Sequence, residues 1–377
     1  MFKISKEIKS YSYLAFLVFV LGYVIFQLYV KSHLPKLGWT ISDWLINYED
    51  GGFKRRGLSG SFLFFIQDHL KIALNTQIFI IQSFFFILIF YFIIKLILSK
   101  ILNWNILILL CSPLCLLYIP VNIFNSGRKE IILIALLSFF VYGKMDRAKE
   151  YILFIGYILG LFLHELFYFY LPFVMAAHIL KTRKIELKYL VSLFFISTTV
   201  MLILFFFGNG IQQGQTLEIL KYRGVELDKW NIFTYDAARE RKEMILAYKS
   251  YILFALELFF MIFLYFMYIK RYLPQRLKVF RIFTCISLIW MIPLYYMGAD
   301  WFRWNHIYSL LFIILIIALM PENTEKKPIV EGRPNITLIV VNVIFFVIFF
   351  LHIKYDSSGN STEFFLPYLN KIKPLFD

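Results

Sequence analysis

Chemistry-bearing side chains are densest in the polar segment 31–58, which follows the first apolar run of the sequence. Two adjacent carboxylates, Glu49 and Asp50, precede two glycines that let the backbone turn tightly or approach a ligand closely. Three cations come next: Lys54, Arg55 and Arg56. Carboxylates accept protons from hydroxyl groups, and grouped cations bind phosphate. The segment is therefore a candidate site for catalysis on a phosphate-bearing substrate, and the alternative is a basic membrane anchor.

A second candidate is the pair His164-Glu165, which interrupts the apolar stretch LFLHELFYFYL. Few water molecules reach such a stretch, so we expect desolvation to raise the pKa of Glu165 toward neutrality. A carboxylate with such a pKa suits a general base. His164 is then either a hydrogen-bonding partner of Glu165 or a second base. The alternative is a buried structural pair.

The remaining candidates are cations at the ends of apolar runs. Arg128 and Lys129 lie in NSGRKE, and Arg303 follows Asp300 in GADWFRWNH. Arginine keeps its charge next to apolar sequence and binds phosphate or carboxylate through a two-pronged contact. We predict that these residues bind a diphosphate or a glycan. The alternative for Arg303 is a structural pair with Asp300.

Several other chemistries have no motif in the sequence. It contains no phosphate loop, zinc-protease motif, paired CxxC or nucleophile elbow. The six histidines are dispersed and lack metal-ligand spacing, and three cysteines give no disulfide framework. We therefore expect neither a metal nor an organic cofactor.

The elements that position these residues are predicted to be membrane-spanning helices. Apolar residues make up 60% of the 377 residues, only 17% are charged, and the mean hydropathy is +0.71. A span needs roughly 17–25 apolar residues, and apolar runs recur along the whole chain. The sequence thus predicts an all-α, polytopic transmembrane helical bundle with about ten or eleven spans, a single membrane-embedded domain over 1–377. The predicted spans are 13–30, 75–94, 104–120, 130–143, 151–163, 167–180, 189–208, 250–269, 282–297, 306–320 and 336–353.

The stretch 151–180 is either one long helix or a hairpin. Basic clusters flank both ends, at 144–149 and 181–184, which favours a hairpin with its tip at His164-Glu165. Pro172 is then expected to bend the returning half.

The distribution of basic residues predicts the orientation of the chain. One set of short segments carries a net charge of +13, against +2 for the rest, which together give the total of +15. The positive-inside rule places this set, and the N-terminus, in the cytoplasm, and the C-terminus outside. Because the basic clusters lie between apolar runs, we do not expect nucleic-acid binding. The segments of this set are 1–12, 95–103, 144–150, 181–188, 270–281 and 321–335.

In this topology the candidate residues all face outward. The first outer loop is 31–58, and a large outer loop spans 209–249. Residues 40–48 combine Trp44 with polar residues, which predicts a short helix in the membrane interface. Together the polar segments predict a polar cavity that opens on the outer side.

The whole arrangement resembles the Wzy-type O-antigen and capsular polysaccharide polymerases and the related GT-C glycosyltransferases of bacteria. The features that carry the resemblance are the acidic, glycine-rich first outer loop, the arginines at outer helix ends, and the large outer loop with Arg223, Arg239 and Arg241. In GT-C enzymes a carboxylate of the first outer loop is typically catalytic, which implies that role for Glu49 or Asp50. The resemblance also implies a GT-C/Wzy-like bundle in the bacterial inner membrane.

The implied reaction is glycosyl transfer from an undecaprenyl-diphosphate-linked sugar. Its expected partners are that glycan substrate, membrane lipid and other polysaccharide-assembly membrane proteins. The acceptor hydroxyl needs a base, for which Glu165, Asp50, Glu49 and His164 are the candidates, and the leaving diphosphate needs cations. The alternative is a flippase or transporter for the same lipid-linked glycans, without covalent chemistry, or a structural subunit of a larger membrane complex.

Overall fold

The structure is a computed structural model that describes residues 6–49, 51–208, 213–229, 231–234, 242, 245, 248–298, 300–323, 330–331 and 336–355. Nearly all of the regular structure in these residues is helical. Two-residue strands, β1 (Leu102–Asn103) and β2 (Val330–Glu331), pair in parallel. The helices are α1 (Lys6–Ser32), α2 (Trp39–Ser42), α3 (Gly57–Leu70), α4 (Leu74–Leu98), α5 (Trp104–Leu110), α6 (Tyr118–Val121), α7 (Ile123–Ser126), α8 (Ile131–Val141), α9 (Arg147–Leu163), α10 (Leu171–Thr182), α11 (Leu187–Phe207), α12 (Gln213–Tyr222), α13 (Tyr248–Tyr272), α14 (Leu277–Met297), α15 (Trp301–Ala318) and α16 (Ile336–Tyr355).

Six helices in the described part are long and apolar enough to cross a membrane: α1, α4, α11, α13, α14 and α15. They correspond to six of the eleven predicted spans. α15 lies at the centre of the bundle with 89% of its residues buried, whereas only 22% of the α1 span is buried. The prediction of a multi-span helical membrane protein is therefore confirmed, with six long apolar helices among the described residues, and the total of ten or eleven spans stays a prediction.

Of the other predicted spans, 336–353 corresponds to the 20-residue helix α16, and the rest form helices of fewer than 18 residues or are broken. The predicted span 104–120 is interrupted after α5, because Pro113 cannot continue a helix and the chain turns before α6. α8 has 11 residues and is about 16 Å long, half of the roughly 30 Å hydrocarbon core. It is nevertheless stable inside the bundle because most of its side chains are buried by its neighbours.

The stretch 151–180 is a hairpin and not one long helix. α9 ends at Leu163, His164 is extended, and a 3₁₀ segment at Glu165–Tyr170 leads into α10. Near the far ends of the two helices, His178 Nε2 lies 3.0 Å from Glu150 Oε1, so α9 and α10 run antiparallel. Pro172 occupies the first turn of α10, where its missing N–H has no intrahelical partner to lose, so it starts the helix instead of bending it.

The segment 40–48 lies inside the bundle, which corrects its predicted place in the membrane interface. α2 and a 3₁₀ turn at Asp43–Leu45 bury Trp44, Leu45 and Ile46 almost completely. The amphipathic pattern predicted an interfacial helix wrongly, because the polar residues of the segment are buried as well as the apolar ones. Asp43, for example, is fully buried. Its polar groups contact partners within the protein, since Arg56 donates to Asp43 and the indole N–H of Trp44 donates to the carbonyl of Gly127.

The loops gather at two opposite ends of the bundle. At one end, Lys100 pairs with Glu322 at 2.6 Å, and Lys181 donates to the carbonyl of Gly143. At the other end, the first loop meets the segment after α12, where the N–H of Leu37 donates to the carbonyl of Glu226 at 2.8 Å. The connections predicted to share a side are therefore in contact with one another in both cases.

A buried ionic cluster as the candidate active site

Most of the predicted site residues meet in one buried group of charges, here called the ionic cluster. Five parts of the chain contribute: the 3₁₀ turn after α2, the residue before α3, the residues before α8, the tip of the α9–α10 hairpin, and the start of α15. Four cations face four carboxylates, so the formal charges balance when the histidine is neutral. The members are Asp43, Arg56, Arg128, Lys129, Glu130, His164, Glu165, Asp300 and Arg303.

Two glycines bring the first loop against α3 and so place Arg56. A Cβ at Gly57 would overlap the ring of Tyr48, and one at Gly60 would overlap the carbonyl of Ile46. Arg56 itself has a φ of 65°, a left-handed conformation that is uncommon for a residue with a side chain. The surrounding packing therefore holds Arg56 in a strained backbone conformation, as happens most often at functional sites.

Arg56 binds the carboxylate of Glu165 in a bidentate ion pair. Its Nε donates to Glu165 Oε2 at 2.8 Å, and its Nη2 donates to Oε1 at 2.6 Å, while Nη1 donates to Asp43 at 3.4 Å. Burial raises the pKa of Glu165, but the charge and hydrogen bonds of Arg56 outweigh it, and the net pKa is lowered. The expected rise in the Glu165 pKa is therefore wrong, because its apolar sequence neighbours do not reveal the arginine 109 residues away.

Asp300 links the two arginines that the sequence singled out. Its Oδ2 accepts hydrogen bonds from Arg303 Nη2 at 2.7 Å and from Arg128 Nη1 at 3.1 Å. The alternative of an Arg303–Asp300 pair is thus observed, with Arg128 added to it. Arg303 Nη1 also lies 2.8 Å from Glu130 Oε1, close enough for an ion pair but misaligned for a hydrogen bond.

His164 has one defined tautomer in this arrangement. The backbone N–H of Leu166 donates to its Nδ1 at 3.1 Å, so Nδ1 carries no proton. Burial, followed by the charges of Arg56 and Arg303, holds the His164 pKa well below its usual value, so the ring is neutral at pH 7. Its single proton therefore lies on Nε2, which is 3.4 Å from Glu130 Oε1.

Seven buried polar atoms of the ionic cluster have no hydrogen-bond partner among the described residues. They are Asp43 Oδ2, Arg128 Nε, Glu130 Oε1, Glu130 Oε2, His164 Nε2, Arg303 Nε and Arg303 Nη1. Leaving one buried donor or acceptor unsatisfied costs about 1–3 kcal/mol, and more for a charged group. Three of these atoms face one another, since Arg303 Nη1 and His164 Nε2 both lie near Glu130 Oε1. The other four are two donors and two acceptors, which fits a bound ligand that carries both hydroxyl and anionic groups.

Not all predicted residues belong to the cluster. Glu49 pairs instead with Arg223, with Nη2 2.7 Å from Oε1, and its side chain is 40% exposed. Arg55 is exposed, and Lys54 is buried. Asp50, like Arg239 and Arg241, lies outside the described residues.

Asp43 and Glu130 are the two cluster members that the sequence did not select. Asp43 lies in the first loop, seven positions before Asp50, and resembled part of an interfacial helix. Glu130 directly follows Arg128 and Lys129 and precedes α8, whose N-terminus favours a carboxylate. A carboxylate beside two cations at a helix start was a usable signal. The burial of Asp43 had no signal in the sequence.

One group with metal-ligand residue types lies at the opposite end of the bundle. Glu150, His178 and Glu186 each offer one ligand atom, all within 4.8 Å of one another. Lys149 and Lys181 lie near this end and donate to backbone carbonyls there. These positive charges oppose cation binding, and His178 is already paired with Glu150, so the group has the geometry of a structural pair.

Comparison of the chain with protein families, with curated proteins and with solved structures finds no match. The resemblance to polysaccharide polymerases and GT-C enzymes therefore stays a prediction, and the chemistry of the ionic cluster carries the functional argument.

Proposed function

We propose that the protein is a membrane glycosyltransferase of the surface-polysaccharide polymerase type. It transfers a sugar or oligosaccharide from an undecaprenyl-diphosphate carrier to a glycan hydroxyl, at the outer face of the bacterial inner membrane. The observation that carries the proposal is the ionic cluster, where unpartnered carboxylate and guanidinium atoms lie buried together at one end of a helical bundle.

The cations of the cluster are suited to the leaving diphosphate. As the glycosidic bond breaks, negative charge develops on the diphosphate, and preorganised donors in a water-poor site stabilise it strongly. Arg128 and Arg303 share one carboxylate, Asp300, and the Nε of each has no hydrogen-bond partner among the described residues. These free nitrogens are the proposed diphosphate ligands.

Asp43 is the proposed counterpart of the first-loop carboxylate of GT-C enzymes. It is the described carboxylate of the first loop that reaches the ionic cluster, since Glu49 pairs with Arg223 at the surface. Its Oδ2 has no hydrogen-bond partner in the described part of the chain, so it is proposed to orient an acceptor hydroxyl or to stabilise the developing positive charge on the sugar ring. Asp50 keeps its predicted role as a second candidate.

The proposal is tested with purified protein in nanodiscs and a fluorescent undecaprenyl-diphosphate-linked oligosaccharide. We expect elongated products on a gel and a loss of activity of about 100-fold in Arg303→Lys, because lysine cannot reproduce the two-pronged contact. Arg276→Lys, in the connection before α14, is the matched control and should keep full activity.

A flippase makes the opposite prediction. In proteoliposomes it would move the lipid-linked glycan between leaflets and leave its covalent structure unchanged. Translocation without any new glycosidic bond would refute the glycosyltransferase proposal. Deletion of the gene separates the cases in cells, since a polymerase mutant retains single repeat units on the surface lipid while the long ladder disappears.

A further inference from the structure

Glu130 is the least satisfied charged side chain of the ionic cluster. Only 4% of its side chain is exposed, and neither carboxylate oxygen accepts a hydrogen bond among the described residues. Arg303 Nη1 at 2.8 Å and His164 Nε2 at 3.4 Å both face Oε1, and Oε2 has no side-chain partner and no hydrogen bond among the described residues. A buried carboxylate oxygen in this state is favourable only if a ligand donor completes it.

The neighbours of Glu130 indicate the type of hydrogen-bonding group that is missing at its Oε2. The tautomer of His164 directs an N–H toward Oε1, and Arg303 places a positive charge on the same oxygen. Both neighbours are donors and stabilise the ionised carboxylate. The missing partner at Oε2 is therefore also a donor, such as a hydroxyl.

We infer that Glu130 is the catalytic base of the proposed transfer, accepting through Oε2 the proton of the acceptor sugar hydroxyl, while His164 is a positioning residue that orients the carboxylate. In this step the O–H bond of the acceptor breaks, and its oxygen forms the new bond to the anomeric carbon. The bond from that carbon to the diphosphate breaks, and its electron pair stays on the departing diphosphate. The inference rests on the proposed function and adds the identity of the proton acceptor.

The other carboxylates of the cluster are less suited to this role. Glu165 is held on both oxygens by Arg56, and Asp300 accepts hydrogen bonds from two arginines. Burial raises the pKa of Glu130, an effect that the charges of Arg303 and Arg128 only partly oppose. The pKa of Asp43, in contrast, is lowered, because the cations Lys129 and Arg56 outweigh its burial. A base is most effective when its pKa lies near the operating pH.

The test compares wild type, Glu130→Gln and Glu130→Asp in the nanodisc assay. Loss of a general base typically lowers the rate by about 100- to 10,000-fold. We expect this loss in kcat for Glu130→Gln with KM changed less than about threefold, and partial activity for Glu130→Asp, which keeps the carboxylate. Glu322→Gln at the opposite end of the bundle is the matched control and should retain wild-type kcat. Thermal unfolding of each variant shows whether it is folded.

The pH profile supplies a readout that a structural role would not change. Glu130 must be ionised to accept a proton, so wild-type kcat should fall as the pH drops through the raised pKa of Glu130. In Glu130→Gln this acid limb should disappear. Burial lowers the pKa of Lys129 to about 8, so its titration lies on the alkaline side and is separate from the acid limb. The titratable and charged groups facing Glu130 are Asp43, Arg56, Tyr118, Arg128, Lys129, His164, Tyr170 and Arg303.

The possible outcomes distinguish failure of the proposed glycosyltransferase function from failure of Glu130 as its base. Wild-type protein that makes no glycosidic bond overturns both the function and the base. Wild-type activity with Glu130→Gln within about threefold of it overturns only the base. An acid limb that persists in a slow but folded Glu130→Gln variant assigns the titration to another group and also overturns Glu130 as base.

Discussion

Arg56 connects the first loop to the hairpin tip through a contact that has little freedom. Its backbone lies in the left-handed region, and its side chain donates three hydrogen bonds to the two oxygens of Glu165. Arginine forms this planar fork, whereas lysine provides only a point charge. In this geometry Glu165 anchors the guanidinium of Arg56.

Glu165→Gln should therefore destabilise the protein in a pH-dependent way. The folded pKa of Glu165 is lowered, so its ionised form stabilises the fold above the ordinary glutamate pKa of about 4.3. This stabilisation is lost as the pH falls through the lower folded value. Unfolding temperatures of wild type and variant in detergent should differ at pH 7 and converge toward pH 3. A constant difference over that range would contradict the assignment.

Most residues of the site could be identified from the sequence, but their protonation states could not. Arg128, Lys129, Arg303, Asp300 and His164 were predicted from their positions at helix ends, and all five lie in the ionic cluster. Protonation states depend on partners that are distant along the chain. Only the fold brings those partners together, so their effects had no signal in the sequence.

At the scale of elements, Arg223 joins the segment after α12 to α3 and the first loop. It contacts Glu49 at 2.7 Å and Asp68 at 2.8 Å, and its guanidinium lies 4.2 Å from the ring centre of Phe64. Nearby, the N–H of Ile232 donates to the hydroxyl of Ser42, the residue before Asp43. Residues 213–229 and 231–234 therefore pack against the first loop next to Asp43, and Arg223 holds this cover at its exposed edge.

Arg223→Ala should loosen this cover with little effect on global stability. Exposed ion pairs contribute only about 0.2–1 kcal/mol each. We expect the backbone amides of 218–226 to exchange hydrogen faster, while the unfolding temperature changes by only a few degrees. Glu49→Gln and Asp68→Asn should each give part of the effect. Unchanged exchange in Arg223→Ala would show that the backbone hydrogen bonds of Leu37 hold the segment by themselves.

Long apolar runs were predictable, and the short elements between them were not. The runs at 75–94 and 189–208 correspond closely to α4 and α11. The run at 104–120 has the composition of a span, but Pro113 breaks it. α3 had no prediction at all, because its position depends on contacts between its glycines and the first loop rather than on its own hydropathy.

At the scale of the whole molecule, the described loops lie at two ends of the bundle, and their charges predict its orientation. The end with 95–103, 144–150, 181–188 and 321–323 is rich in lysine and arginine, and the end with the first loop and α12 surrounds the ionic cluster. The positive-inside rule predicts that the first of these ends is cytoplasmic.

Cysteine labelling of whole cells tests this orientation. In a background without Cys111, Cys115 and Cys285, we expect an impermeant maleimide to label Lys36→Cys and Tyr222→Cys. Lys184→Cys should react only after the membrane is permeabilised. Labelling of position 184 in intact cells would reverse the orientation, and labelling of position 36 but not 222 would contradict the contact between the two outer segments.

The deep burial of α15 has a consequence for how the chain enters the membrane during synthesis. α15 is the most buried of the six long helices and has the lowest mean hydropathy, 1.5. Its first two turns carry Arg303, Asn305 and His306, and an unbroken apolar run begins only at 310, leaving about 16 Å before 320. Insertion by the translocon depends on the apolar length of each segment, so α15 alone should insert into the bilayer inefficiently.

We expect the isolated α15 segment to insert poorly in a glycosylation-mapping assay, and insertion to rise when α13 and α14 precede it. Efficient insertion of α15 alone would show that its apolar half is enough for insertion and would contradict this expectation. Poor insertion of α15 alone would show that the helix carrying Arg303 depends on its neighbours to enter the bilayer.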